Sequence, residues 1–105
     1  MAFFIKLKEV FIMETIKVFE EGSKEYNRLS AAKNLIESET KVSCIINEVY
    51  FDYSQDWLCT TLLAESEIGY YQALTPKQQE KIVYGEIDEW FNTIKEIIQG
   101  IKERC

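Results

Sequence analysis

Apolar positions recur along this chain with either a strand or a helix period, and each change of period marks an element. Thr15 to Phe19 alternates, with Ile16 and Val18 on one side, as a short strand does. Gly22 and Ser23 interrupt it. Ser23 is a good N-cap, and Tyr26, Leu29, Ala32 and Ile36 follow at helical spacing, which predicts an amphipathic helix from Lys24 to about Glu37. From Lys41 onward β-branched and aromatic residues dominate. Val42, Cys44 and Ile46 share one face, but beyond Asn47 the apolar parity passes to Val49, Phe51 and Tyr53, which predicts a bulge or tight turn near Asn47 and Glu48.

Ser54, Gln55 and Asp56 are turn residues between two strand-like runs. A three-residue loop there pairs Tyr53 with Trp57, Phe51 with Cys59 and Val49 with Thr61. In that register Glu48, Tyr50 and Asp52 lie beside Thr60 on the exposed face, diluted by Leu58 and Leu62, and a slip of one residue would reverse the faces. Thr75, Pro76 and Gln78 then announce a helix: threonine caps, proline suits the first helical position and glutamine completes a capping box. Val83, Ile87, Trp90, Ile94, Ile97 and Ile101 continue at alternating spacings of four and three residues, the stripe of a helix that buries one side. Gly85 either kinks this helix or divides it. Phe91 and Ile98 widen the stripe beyond a coiled-coil seam, which favours packing within the chain, on the sheet, over a dimer. The expected architecture is α+β: a small antiparallel sheet with a central hairpin at about 42–64, an N-terminal helix at about 24–37 and one or two C-terminal helices at about 76–103.

The first twelve residues need a separate argument. Lys6 and Lys8 break their apolar run too early for a signal-peptide core. Lys8, Glu9 and Val10 can be encoded by AAG GAG GTN, a strong bacterial ribosome-binding sequence at a usual distance ahead of the codon for Met13. Residues 1–12 are therefore read as translated leader, the alternative being an edge strand with Phe3, Ile5 and Leu7 inward. Residues 13–105 form one domain: the single proline and four scattered glycines leave no linker or repeat.

Composition narrows the chemistry mainly by exclusion. There is no histidine, which removes Ser/His and Cys/His nucleophile activation and the usual zinc ligands. The four glycines stand alone, so no phosphate-cradling loop or dinucleotide fingerprint exists. Glu86, Asp88 and Glu89, or Glu48 and Asp52, could hold magnesium, but no supporting motif accompanies them and solvated charge is the simpler account. No catalytic residue, metal site or cofactor is expected. The three cysteines, Cys44, Cys59 and Cys105, are odd in number and lack CxxC spacing, so reduced thiols in the cytoplasm are expected, with Cys44 and Cys59 as small core residues. No apolar run approaches the roughly 20 residues of a membrane-spanning helix.

Charge supplies the functional expectation. Of a net charge of −6, the stretch between Lys41 and Lys77 carries five acids and no base, among six aromatics. Trp90 and Phe91 fall in the helical stripe and are expected in the core, whereas some of Tyr50, Tyr53, Trp57, Tyr70 and Tyr71 must face outward. Direct nucleic-acid binding is disfavoured, because no basic groove accompanies the rings. The expected function is a small acidic, non-enzymatic binding protein that docks Glu48, Tyr50, Asp52, Asp56, Glu65 and Glu67 on a basic surface of a partner protein. Phage inhibitors of nucleic-acid-binding bacterial enzymes, of the anti-CRISPR or anti-restriction kind, are comparable in size and charge, an analogy that no motif here extends. The alternative is a homodimeric structural or regulatory module assembled through the C-terminal helix.

Overall fold

Local signals set the element boundaries in the computed structural model, which describes residues 16–104. Both readings of residues 1–12, and Cys105, lie outside that range. Ile16–Val18 forms β1, and Lys24–Thr40 forms helix α1. The Ser23 hydroxyl accepts the Tyr26 amide at 3.2 Å, and Lys41 closes the helix in the left-handed conformation at φ 62°. Strands β2 (Cys44–Asp52) and β3 (Trp57–Ser66) form the central hairpin, followed by β4 (Gly69–Gln72). The chain ends in α2 (Pro76–Tyr84) and α3 (Ile87–Arg104). The expected Thr75–Gln78 capping box is present, and Gly85 divides the C-terminal helices. The protein is thus α+β, an antiparallel sheet of order β1-β2-β3-β4 covered on one face by helices.

The parity shift at Asn47 and Glu48 is a bulge, the register moving between Ile46 and Val49. The hairpin turn, however, is longer by one residue than its sequence suggests. Asp52 pairs with Trp57, Phe51 with Leu58, Tyr50 with Cys59 and Val49 with Thr60, leaving residues 53–56 as the turn. Asp52 explains the difference. Its carboxylate accepts the Ser54 amide at 3.0 Å and the Ser54 hydroxyl at 2.6 Å, while Asp56 takes the left-handed conformation at φ 51°. The slip reverses the faces of β3, so Leu58 and Leu62 are core residues and Cys59 looks outward beside Tyr50.

Leu58, Thr60, Leu62 and Ala64 of β3, with Cys44 and Val49 of β2, make the buried face. Helix α1 lies on β2 and α2 on β3, while α3 packs mainly against these two helices. Leu29 and Ile36 of α1, Ile82 and Val83 of α2 and Ile94 of α3 belong to one buried cluster with Leu62. The helical stripe ends early: Ile94, Ile97 and Ile101 are buried, but Ile87 is 65% and Phe91 47% exposed. Trp90 is half-buried and donates its indole N–H to the Arg28 carbonyl at 3.3 Å, where α1 meets the joint before α3. At the other end of α3 the Arg104 guanidinium stacks 3.9 Å over the Tyr71 ring of β4.

One carboxylate ties α1 to the sheet. Glu37 accepts the amide of buried Cys44 at 2.9 Å and pairs with Lys33 at 3.1 Å. The amide bond, with Lys33 assisting, holds the Glu37 carboxyl below its ordinary value of 4.5 against a partial opposing effect of burial. Folding lowers this pKa, so the contribution is complete above the ordinary glutamate range and is lost as pH falls through the folded-state value. Glu37→Ala should cost about 1–2 kcal/mol at neutral pH by leaving the Cys44 amide unpaired, and the difference from the native protein should shrink below pH 4.5, measured by urea unfolding across pH. Glu37→Gln, which keeps an acceptor, should lose less.

Candidate protein-docking face

The sheet buries one face, and the described residues leave the other uncovered. Strand alternation places Ile16 and Val18 of β1, Ile45 and Tyr50 of β2, Trp57, Cys59, Thr61 and Leu63 of β3, and Tyr70 of β4 on this outer face. It is unusually apolar for a solvated surface. Val18 is 66% exposed, Tyr70 49%, Trp57 45% and Ile45 40%. An antiparallel sheet facing water would more often alternate to polar residues here.

The six acidic and aromatic residues expected to bind a partner are distributed unevenly over this surface. Glu48 projects from the bulge and is exposed; Tyr50, half-buried, sits opposite Cys59. Asp52 reaches the same face at the hairpin end, but its carboxylate is engaged by Ser54 and, at 3.3 Å, by the Gln55 amide. Glu65 stands at the far end of β3 opposite Tyr70. Asp56 and Glu67 are exposed in the turns at opposite ends of β3, separated by a strand roughly 30 Å long at about 3.3 Å per residue. The acids therefore frame an apolar, aromatic centre.

Electrostatics within the face follow from that frame. The Tyr50 hydroxyl titrates above its ordinary value, first because of its hydrogen bond with Cys59 and its proximity to that thiol, then because Glu48 and Asp52 oppose a phenolate. No lysine or arginine occurs on β2, β3 or β4. Lys17, on β1, pairs with Phe51 on the covered side and lies 5.5 Å over the Phe19 ring. Cys44 is no reactive centre: burial first, then Glu37, pushes its thiol up to about 11. Among the described residues no three cysteine or carboxylate side chains gather as a metal site, and no helix is long and apolar enough to cross a membrane.

Sequence reasoning missed Ile45, Leu63 and Val18 as members of this face, together with the whole of β4. The alternation Trp57, Cys59, Thr61, Leu63 carries the signal, but only in the register set by the longer turn. Comparison of the chain with protein-family models, with curated proteins and with solved structures finds no match.

Proposed function

We propose that the protein is a non-catalytic binding module that docks the outer face of its sheet on a basic surface of a partner protein. The supporting observation is the face itself: exposed Trp57, Tyr70, Ile45 and Val18 framed by Glu48, Asp52 and Glu65, on strands without a single basic side chain from β2 to β4. Aromatic and aliphatic residues at the centre with charge at the rim form the usual anatomy of a protein interface. Contiguous exposed apolar surface on a small domain is a mark of such a site. The acidic frame supplies steering and excludes acidic or nucleic-acid partners. A nucleic-acid-binding bacterial enzyme, whose phosphate-binding surface is basic, is a partner of this chemistry.

The test compares capture by the native protein and by a Glu48→Lys, Glu65→Lys, Glu67→Lys variant from bacterial lysate, at low and at high salt. Asp52 is left intact because its carboxylate shapes the turn. A basic protein held by the native chain, released by salt and at least tenfold depleted with the variant is the expected result. Equal capture by both proteins would remove charge from the account. A second reading, self-association through α3, rests on exposed Ile87 and Phe91. It predicts a dimer in sedimentation that Phe91→Ser dissociates and the charge reversal leaves intact.

A further inference from the structure

Strand β3 is longer than the strand beside it. The β3–β4 ladder runs only from Leu63–Gln72 to Ser66–Gly69, and the Ala73 amide donating to the Leu62 carbonyl at 2.9 Å is its last rung. The Glu65 amide, by contrast, donates to Ser43 on the β2 side. Odd-numbered residues of β3 therefore bond toward β2 and even-numbered ones toward β4. Leu58 and Thr60 consequently direct their amide and carbonyl groups to an edge that no strand among the described residues occupies. Helix α2 begins beside this gap, but its capping amide is spent on itself: Gln78 N–H donates to the Thr75 hydroxyl at 3.2 Å.

Two clefts open along that edge, meeting at Trp57 and Pro76. One, of about 290 Å³, is bordered by Glu48, Thr60 and Gln79; the other, of about 460 Å³, by Asp56, Leu58, Lys77 and Glu80. Gln79 is 2% and Thr60 5% exposed, yet Gln79 Oε1 and Thr60 Oγ1 have no hydrogen-bond partner among the described residues. Buried polar atoms normally find one, and the unmet acceptor of Gln79 asks for a donor. The rim carries three acids, Glu48, Asp56 and Glu80, against Lys77.

We infer that the β3 edge from Trp57 to Thr61 takes an extended, basic peptide segment of a partner protein as an added strand in line with β4. Resting on the docking reading above, this specifies the partner's docking element. The backbone rungs come from Leu58 and Thr60. Donor side chains on one side of the added strand meet Thr60 Oγ1 and Gln79 Oε1, while its lysines or arginines meet the acidic rim. Strand addition of this kind draws affinity from the ladder and specificity from alternate side chains.

The experiment is NMR on the ¹⁵N-labelled full chain, titrated with an alternating lysine–threonine heptapeptide and with the same peptide N-methylated at alternate residues. In the free protein the Leu58 and Thr60 amides should exchange with solvent at least tenfold faster than those of Cys59 and Leu63, which face paired residues of β2. The unmodified peptide should slow them by at least tenfold, and the N-methylated one, equal in charge but short of ladder donors, should bind at least tenfold more weakly. Gln79→Leu should weaken the unmodified peptide severalfold without lowering Tm. Protection of Leu58 and Thr60 in the free chain would overturn the inference, since the edge would then be covered by this chain or by a second copy. Absence of binding would also overturn it, as would unchanged affinity in Gln79→Leu, which would leave that cleft to solvent. Equal, salt-sensitive binding of both peptides would overturn the added strand while leaving charge-driven docking in place; binding that ignores salt would count against the docking reading instead.

Discussion

Replacing Gly85 by alanine should destabilise the fold by about 2–3 kcal/mol, although its backbone, at φ −69° and ψ 165°, is open to any residue. The obstacle is space. A Cβ at this position would lie 2.4 Å from the Lys81 carbonyl oxygen and 3.2 Å from the Glu89 Cβ, and the first of these is backbone that cannot swing aside. The same carbonyl accepts the Gly85 amide at 2.9 Å as the closing bond of α2, so relief of the clash has to open that bond. It would also move the Gly85 carbonyl, which accepts from the Arg28 guanidinium, while the Arg28 carbonyl accepts from the Trp90 indole. One methyl group thus strains the joint at which α1, α2 and α3 meet. Gly100→Ala is the control: nothing lies within 4 Å of its added Cβ inside α3, and the substitution should stabilise by about 0.5–1 kcal/mol through the better helix propensity of alanine. Urea unfolding of the three proteins measures both signs.

What the sequence revealed depended on how local the determining interaction is. The Thr75–Gln78 box spans four residues and bonds to itself, so it could be read directly. The parity shift at Asn47 and Glu48 was legible as a bulge or a tight turn, and the continued pairing of β2 with β3 on both sides of it makes it a bulge. The hairpin turn was not. Ser54, Gln55 and Asp56 suit a three- or a four-residue turn, and the choice rests on Asp52 folding its carboxylate back onto Ser54, a preference hidden in a residue that otherwise reads as strand. Strand β4 escaped notice because Gly69–Gln72 is too short to show alternation and owes its position to the end of β3. The helical stripe identifies α3 but not how far its cover extends: Ile87 and Phe91 fit the stripe, yet both are exposed and the core stops at Trp90. For the candidate face, the acids were visible in composition, whereas the apolar centre they surround depended on the register. Asp52 shows the limit of that reading, since a carboxylate counted as surface charge is engaged in the turn.

The register makes its sharpest prediction at two adjacent leucines. Leu62 is fully buried opposite Ile46, packed against the centre of the helical layer; Leu63, opposite Ile45 and Gln72, is on the outer face and only partly covered. Leu62→Ala should cost about 3–5 kcal/mol, because the methyl groups it loses leave a cavity enclosed by both the sheet and the helices. That is a large part of the roughly 5–15 kcal/mol available to a small domain. Leu63→Ala should cost less than about 1 kcal/mol, since water already reaches the site. With a three-residue turn the order would invert, Leu62 becoming a surface residue and Leu63 a core one. Comparing the two unfolding midpoints therefore tests the longer turn, and with it the outer face: only if Leu62 carries the larger cost do Trp57, Cys59 and Leu63 lie together beside Glu48 and Glu65, where a partner could reach them.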